Sequence, residues 1–399
     1  AVVTSDHRGN MGMHYTSVPN IMKVIEPLFL DELYSEFEKS YESKTKLQNL
    51  LNRLAKIKIF DPACGSGNFL IIAYKKLREL EMNILQRIEA LSKERTFVFS
   101  EIKLTQFYGI ELDDFAHEVA MLSLWLAEHQ MNLEFYKAFG RTSPSLPLHD
   151  GGHIVHGNAT RVNWEEVCPK NESDEIYILG NPPYQGSRKQ SKEQKEDLAF
   201  VFDGFKKFKD LDYIACWFYI GAKYIQNINA KLALVSTNSI CQGEQVDMIW
   251  PFIFELKVEI SFAYQSFKWK NNAKDNAGVS VVIIGLQNKN NSTKYLFIEN
   301  IKKQVLYINA YLVSGNNIIV KRTNKQISNL PLMPKGNMPY DGGNLSLSEQ
   351  EKEKLINDYP ESTKFIKKLI GAEEFLDGKQ RFCLWLSNKN LNDALKIEP

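Results

Sequence analysis

The chain has 399 residues, a length that allows a large buried core and two or three domains. Its 49 Lys and Arg residues nearly balance its 48 Asp and Glu residues, which excludes a strongly basic protein, so any nucleic-acid surface must be local. Five scattered cysteines form no C-x-x-C pair and indicate a reducing compartment. No apolar run reaches the length of a bilayer span, and we expect a cytoplasmic protein without membrane contacts.

The N-terminal part of the chain has the pattern of helices. Residues 18–56 carry apolar positions at helical spacing among many charges, and Pro27 interrupts the pattern locally. We therefore predict a helical N-terminal segment over residues 1–56.

Apolar runs then alternate with helical patterns. KIKIF, QFYGIEL, HIVHGN, EIYILGN and KLALVSTN predict five strands, and VEISFAY with VSVVIIGL predicts a terminal antiparallel pair. Strands that alternate with helices indicate an α/β fold with a doubly wound, mostly parallel, seven-stranded sheet over residues 57–330. From Pro331 the sequence becomes rich in Pro and Gly, so we predict a C-terminal extension over residues 331–399.

The first predicted strand leads into a glycine turn, DPACGSGN. Gly65 and Gly67 stand where a phosphate-binding turn has its first two glycines, but Leu70 replaces the third. Asp61 would repel a pyrophosphate there, whereas it would favour a cofactor with an ammonium and a sulfonium, such as S-adenosylmethionine. Glu111 ends the next strand, where an acid can accept both ribose hydroxyls; the alternative is a solvated acid at a strand end.

The fourth predicted strand ends in NPPY. Pro182 and Pro183 fix φ and hold Asn181 and the nearby carbonyls in one arrangement. The Asn181 side-chain oxygen and the Pro182 carbonyl could each accept an N–H from a planar amine and favour a pyramidal nitrogen, while Tyr184 offers a face for stacking. These four residues are the predicted catalytic set, and a base swung out of a duplex would fit them.

The segments DPACGSGNF and NPPY, with HYTS upstream, resemble the gamma class of DNA adenine-N6 methyltransferases. The segments GIELDDFAHEVAMLSLWLAEHQMN, SFKWKNNAKDNAGVSVVIIGL and GNMPYDGGNLSL narrow the resemblance to the MmeI-like branch of type IIG restriction-modification enzymes. The resemblance covers the chain from about His14 onward. It implies a Rossmann-like, class I methyltransferase domain, double-stranded DNA as partner, and the start of a target-recognition domain at residues 331–399.

The resemblance also implies which residues contact the cofactor. They lie in a segment that folds back over it, in the glycine turn, at the end of the second strand and after the third strand. In chain order they are His14, Tyr15, Thr16, Ser17, Asp61, Pro62, Ala63, Cys64, Gly65, Ser66, Gly67, Asn68, Phe69, Glu111, Leu112, Asn158 and Ala159. The family commonly has Asp where this chain has Asn158, so Asn158 departs from the family pattern.

An aromatic and basic segment and a group of histidines are two further features of the sequence. YQSFKWKNNAKDNAG interleaves aromatic residues with lysines, which makes Phe267 and Trp269 candidate contacts of the substrate base; a hairpin with core-facing aromatics is the alternative. His149, His153 and His156 cluster in sequence but lack carboxylate or thiolate company, so no metal site is predicted.

Together these features predict a site-specific DNA adenine-N6 methyltransferase of a restriction-modification system. The NPPY motif also occurs in enzymes that methylate other planar nitrogen groups. A protein glutamine or RNA amino-methyltransferase is therefore one alternative. A non-catalytic DNA-binding subunit that kept the fold is another. Type IIG relatives carry a nuclease before the methylase, and none is recognised in this sequence. We expect either a piece of a larger enzyme, with nuclease and target-recognition regions on the same full-length chain, or a methylase standing alone.

Overall fold

A computed structural model describes residues 16–92, 99–140, 152–268, 280–299, 301–321, 323, 329, 341–387 and 390–397. The chain divides into two compact units after residue 322, whereas the sequence suggested a boundary after residue 330. Among the described helices, none has the length and apolar character needed to cross a bilayer.

Helices precede the sheet in the first unit. Helix α1 (Val18–Ile25) continues through a π-helical turn (Glu26–Leu30) into α2 (Asp31–Ser40), and α3 (Lys44–Leu54) follows. Pro27 lies in the π-helical turn, where the helix widens around a residue that cannot donate a backbone hydrogen bond. The prediction of a helical N-terminal part is confirmed for the residues described.

Among the residues that the structure describes, the sheet of the first unit has nine strands, in the order β3-β2-β1-β4-β5-β7-β6-β8-β9. Their bounds are Ile57–Asp61 (β1), Phe107–Glu111 (β2), His153–His156 (β3), Glu175–Gly180 (β4), Ala230–Thr237 (β5), Val258–Lys268 (β6), Ser280–Asn288 (β7), Lys294–Ile298 (β8) and Ile301–Val305 (β9). Strands β1 to β5 pair in parallel with one another, and β7 runs antiparallel between β5 and β6.

The doubly wound, mostly parallel α/β prediction is confirmed, but the predicted count of seven strands was wrong. Strand β8 adds in parallel to β6, and β9 pairs antiparallel with β8. The sequence of β9, IKKQV, has no buried apolar face, because four of its five residues are exposed. Such a polar edge strand lacks the hydrophobic alternation by which strands are recognised.

Helices cover both faces of the sheet. After the N-terminal helices come α4 (Asn68–Leu91), α5 (Asp114–Phe139), α6 (Trp164–Val167), α7 (Lys192–Val201), α8 (Ala215–Tyr224) and α9 (Gly243–Glu255). Neighbouring strand residues enter two separate cores: Ile59 and Tyr177 pack on one side, and Phe60 and Ile178 on the other. The sheet is therefore buried on both faces, as expected for parallel strands.

The strand order reverses beside β1, which lies between β2 and β4. In doubly wound sheets, ligands bind in the crevice outside the carboxyl ends of the strands at this switch point. The residues that end β1, β2 and β4 are Asp61, Glu111 and Gly180, and the last directly precedes Asn181. The fold therefore collects the polar residues of several distant segments at one edge of the sheet.

The second unit contains a small antiparallel sheet with the strand order β10-β12-β11. Its elements are β10 (Ser346–Leu347), α10 (Glu349–Asp358), β11 (Ile366–Leu369), α11 (Ala372–Asp377), β12 (Arg381–Leu384) and α12 (Leu391–Ala394).

Candidate active site

Asp61, the last residue of β1, is completely buried. Its Oδ1 accepts the N–H of Ala63 at 3.0 Å, whereas its Oδ2 is buried and has no hydrogen-bond partner among the described residues. Burial, and to a lesser extent the negative charge of Glu111, raises the pKa of Asp61 to about 8. A buried acid with one unpartnered oxygen is ready to bind a positively charged group, which would compensate its desolvation.

The glycine turn after β1 presents open backbone. Gly65 and Gly67 have φ values of 54° and 83°, in the left-handed region that favours glycine. A Cβ built on Gly65 would meet no atom of the described residues within 4 Å, so these residues leave space beside the turn. Within residues 61–69, Ala63, Gly65, Ser66 and Asn68 are partly exposed, while the other side chains and Gly67 are buried. Residue 65 is thus where a ligand can approach the backbone closely.

Glu111 ties the glycine turn to the start of α5. Its Oε2 accepts the N–H of Gly65 at 2.7 Å, and its Oε1 accepts the N–H of Asp113 at 2.9 Å. A carboxylate has about four acceptor positions, so these two bonds leave capacity for further donors. The next residue, Leu112, is 64% exposed and adds an apolar surface beside this acid.

Asn158 braces the loop after β3. Its Nδ2 donates to Asp197 Oδ2 at 2.9 Å, and its Oδ1 accepts from the backbone N–H and the hydroxyl of Thr160 at 3.0 and 2.7 Å. Ala159 is buried, and its carbonyl accepts the indole N–H of Trp164 at 2.8 Å. Both polar ends of the Asn158 amide are therefore bound within the protein.

Asp197, on α7, is an acid that no motif in the sequence marks. Besides Asn158, the hydroxyl of Tyr213 donates to its Oδ2 and Nε of Arg161 donates to its Oδ1, both at 2.7 Å. Burial acts to raise the pKa of Asp197, but these three hydrogen bonds outweigh it and hold the pKa below its usual range. Asp197 therefore joins the loop after β3 to the helices that follow the NPPY motif.

Gly180 brings the ends of β1 and β4 into contact. It has a φ of 154°, and a Cβ built on it would lie 2.5 Å from Asp61 Oδ1. Any larger residue would push against the buried carboxylate, so glycine is required both for the backbone conformation and for the close approach. The sequence displayed this glycine directly before NPPY, yet its contact with Asp61 becomes visible only in the folded chain.

The NPPY loop follows Gly180. The side-chain oxygen of Asn181 is buried and finds no hydrogen-bond partner in the part of the chain that the structure describes. Pro182 is buried, whereas Pro183 and Tyr184 are partly exposed. Burial, and then the charge of Asp212, raises the pKa of Tyr184, so its phenol is neutral at ordinary pH. The loop thus offers an unpartnered neutral acceptor next to an aromatic ring.

The remaining predicted contacts are placed as follows. Thr16 is buried, and Ser17 directly precedes α1, which packs against α4 and β5. Phe267, near the end of β6, is partly buried, and its ring centroid lies 6.2 Å from that of Tyr264. Three predicted positions, His14, Tyr15 and Trp269, lie outside the described residues, as does His149.

A doubly wound sheet with an acidic glycine turn after its first strand and an Asn-Pro-Pro-Tyr loop after its fourth has the architecture of a methyltransferase. Comparison with protein families agrees: residues 37–298 match the MmeI DNA-methyltransferase domain, and residues 314–399 match the MmeI target recognition domain. The chain belongs to the MmeI DNA-methyltransferase family, which confirms the resemblance found in the sequence.

Individual relatives agree with this assignment. The chain is 54% identical over 403 residues to DNA methyltransferase A of Bacillus subtilis (strain 168), covering 100% of this chain and 45% of that protein. The structure of the type IIL restriction-modification enzyme MmeI in complex with DNA superposes with a TM-score of 0.92 at 38% identity, covering 99% of this chain and 54% of MmeI. The chain therefore spans about half the length of these relatives.

A shorter match points the same way. Over 101 residues, 25% of this chain, the sequence is 45% identical to a putative type II restriction enzyme and methyltransferase of Methanocaldococcus jannaschii. This match covers 8% of that relative.

Proposed function

We propose that this chain transfers a methyl group from S-adenosylmethionine to N6 of a flipped adenine in double-stranded DNA, as part of a restriction-modification enzyme. The observation that carries the proposal is a pair of buried oxygens at the ends of β1 and β4, Asp61 Oδ2 and Asn181 Oδ1, which have no hydrogen-bond partner within the described residues. One is on an acid suited to a cationic cofactor, and the other is on a neutral amide suited to an amine.

The residues at the end of β1 fit S-adenosylmethionine. Asp61 would bind its ammonium, the open backbone at Gly65 would admit its methionine portion, and Glu111 would accept its ribose hydroxyls. The exposed Leu112 provides an apolar surface for its adenine. When bound, this cofactor supplies a methyl group made electrophilic by a sulfonium. A pyrophosphate cofactor fits poorly, because two carboxylates face the turn.

The residues at the end of β4 fit the acceptor nitrogen. The exocyclic nitrogen of adenine is a weak nucleophile because its lone pair is delocalised into the ring. Asn181 Oδ1 and the Pro182 carbonyl would each accept one N–H, which favours the pyramidal nitrogen that forms during methylation. Tyr184 would stack on the flipped base and hold it in place. Methylation in this site would depend on the orientation of the acceptor nitrogen rather than on a strong base. After methylation the nitrogen loses one proton to water.

DNA as the substrate is supported by what the relatives do. The Bacillus subtilis relative is a DNA methyltransferase, and MmeI was solved in complex with DNA. The match to a target recognition domain at residues 314–399 adds a region suited to reading a sequence. The balanced net charge of +1 means that DNA contacts must come from local surfaces.

The test is a methylation assay with labelled donor and three acceptors offered in parallel: double-stranded DNA, protein and RNA. The proposal predicts that label enters DNA and is recovered as N6-methyladenine after digestion to nucleosides. Recovery of the label in glutamine side chains or in RNA would favour the amino-methyltransferase alternatives. Binding of DNA without any transfer to the three acceptors would favour the non-catalytic subunit.

A further inference from the structure

Asp212 lies between α7 and α8 and is buried. Its Oδ1 accepts the backbone N–H of Gln185 at 2.9 Å and that of Ile214 at 3.4 Å. Its Oδ2 accepts the hydroxyl of Ser239 at 3.2 Å, and the Thr237 hydroxyl lies 3.4 Å away. The two hydroxyls are themselves 2.7 Å apart. One carboxylate therefore connects the loop after β4 to the residues that end β5.

Gln185, which directly follows the NPPY motif, is held at both of its backbone groups. Its N–H donates to Asp212, and its carbonyl accepts the N–H of Tyr213 at 3.0 Å and Nε2 of Gln190 at 2.8 Å. On the other side of the motif, Gly180 is paired with β5 in the sheet. Residues 181–184 therefore lie between two residues that hydrogen bonds hold in place, Gly180 and Gln185. Asp212 holds the second of these.

Asp212 is itself fixed by neighbouring elements. The side chain of Gln245, on α9, makes two hydrogen bonds to this segment. Its Oε1 accepts the N–H of Asp212 at 3.0 Å, and the Nε2 of Gln245 donates to the carbonyl of Asp210 at 2.6 Å. The following residue, Tyr213, donates its hydroxyl to Asp197. Because Asp212 is held in place, its hydrogen bond to Gln185 also fixes the position of the loop that follows β4.

We propose that Asp212 is a positioning residue for methyl transfer: by holding Gln185 it sets the places of Asn181 and Tyr184 against the flipped base. This inference rests on the proposed function and identifies an acid that acts on the same site without touching the substrate. Its effect is on geometry, because a displacement of about 1 Å at a reacting group can cost on the order of 100-fold in rate.

The chemistry of Asp212 suggests which substitutions separate positioning from folding. Asn at position 212 keeps one oxygen for the N–H of Gln185, and the hydroxyls of Thr237 and Ser239 can rotate to accept from its NH₂ group. Ala removes every acceptor. Asp212→Asn should therefore preserve the clamp on Gln185, whereas Asp212→Ala should release it.

The experiment compares Asp212→Ala, Asp212→Asn and the control Asp210→Ala, which removes an exposed carboxylate two residues away. For each variant, kcat for DNA methylation, the Kd for S-adenosylhomocysteine and the thermal unfolding midpoint are measured. We expect kcat of Asp212→Ala to fall about 100-fold, with cofactor affinity and unfolding midpoint close to those of the unchanged protein. Asp212→Asn should retain most of kcat, and Asp210→Ala should retain all of it.

Hydrogen exchange at the amide of Gln185 gives a readout that does not depend on activity. The clamp predicts faster exchange at Gln185 in Asp212→Ala than in Asp212→Asn or Asp210→Ala. Should Asp212→Ala fail to fold, Ser239→Ala, which removes one donor to the carboxylate, is expected to show the same direction of change.

The outcomes separate this inference from the proposed function. If the wild-type protein methylates no DNA, the proposed function is wrong. A folded Asp212→Ala protein with unchanged kcat, or with unchanged exchange at Gln185, overturns the positioning role. Equal losses of kcat, cofactor affinity and stability in both Asp212→Ala and Asp212→Asn would also overturn it, because they would show a general structural role.

Discussion

The ends of β1 and β4 lie side by side, yet they differ in charge and in how they are held. At the end of β1, Asp61 is a buried acid with an unpartnered oxygen, next to open backbone at Gly65. At the end of β4, Asn181 offers an unpartnered but neutral oxygen in a loop stiffened by two prolines. The same crevice therefore presents a buried acid suited to a cation and a neutral oxygen suited to an amine.

The difference has a chemical reason. A cationic ligand is bound most strongly by an ionised partner in a buried setting. A nitrogen nucleophile needs acceptors that orient its N–H groups, and neutral oxygens do this without adding a fixed charge to a buried site. Gly180 separates the two settings and lets them approach within contact distance.

Removing the neutral acceptor tests the β4 side of this comparison and should have the largest effect. We expect Asn181→Ala to lower kcat by about 100- to 1,000-fold, the usual cost of one transition-state acceptor or donor in a buried site. Asn181→Asp keeps the oxygen and adds a charge, so its kcat should lie between that of Asn181→Ala and that of the wild-type protein. An Asn181→Ala protein with normal kcat would show that the unpartnered oxygen has no part in methyl transfer.

Substituting the glycine between the two strand ends should affect both at once. In Gly180→Ala, the Cβ would meet Asp61 Oδ1 at 2.5 Å, and the backbone has a φ of 154°. We expect weaker cofactor binding, slower methylation and a loss of stability of about 1 to 3 kcal/mol from backbone strain. Calorimetric titration and thermal unfolding measure these effects.

The matched control for this change is Gly186→Ala, in the same loop. Gly186 has a φ of −61°, and a Cβ there would meet none of the described atoms within 4 Å. We expect this variant to match the unchanged protein in stability and cofactor binding. If both glycine variants behave alike, the contact between Gly180 and Asp61 is not what the site requires.

Much of this fold was accessible from the sequence because it depends on local patterns. Buried parallel strands are short apolar runs that alternate with helices, and they were found in the right order up to β7. Asp61 and Glu111 could be assigned to strand ends for the same reason. The pair β8 and β9 was missed, since β9 is a polar edge strand without an alternating pattern.

The contacts within the site could not be read from the sequence because they join distant segments. Asp61 meets Gly180, and Asp212 binds Gln185 and Ser239, only after the sheet has brought these strand ends together. Nothing in the local sequence distinguishes Asp212 from the neighbouring Asp210. The roles of Asp61, Asn181 and Tyr184 stay predictions, which substitution of each residue tests.

The aromatic face of the β4 loop should make a smaller contribution than Asn181. Tyr184→Ala should weaken capture of the flipped base by about 1 to 3 kcal/mol, the range for one lost stacking contact. Tyr184→Phe keeps the ring and should behave almost as the unchanged protein does. DNA affinity and methylation rate of the two variants decide the point: equal losses in both would assign the effect to the hydroxyl rather than to stacking.

The charge at the end of β1 predicts a pH dependence. Because the pKa of Asp61 is raised to about 8, binding a cation below that pH requires the loss of a proton. We expect the affinity for S-adenosylhomocysteine to fall by up to about tenfold for each pH unit below 8. In Asp61→Asn this dependence should disappear; its persistence there would assign it to another group.

The titration of Asp61 affects stability in the opposite direction to cofactor affinity: affinity falls as the pH is lowered, whereas the free energy of unfolding falls as the pH is raised. The protonated form of Asp61 is favoured in the folded protein, so its contribution to stability is complete below the ordinary pKa of 3.8 and is lost as the pH rises through about 8. Asp61→Asn should therefore flatten the fall in the free energy of unfolding over this range, as measured by denaturant titration at several pH values.

The division of roles between the two strand ends is tested most directly by the single-turnover methylation rate of DNA, measured as a function of donor concentration. For Asp61→Ala we predict a half-saturating concentration raised by about 5- to 150-fold, equivalent to about 1 to 3 kcal/mol, with a limiting rate close to normal. For Asn181→Ala we predict a normal half-saturating concentration with a strongly reduced limiting rate. If both variants lose the same parameter, or if the two effects are exchanged, the account of a charged cofactor end and a neutral acceptor end is wrong.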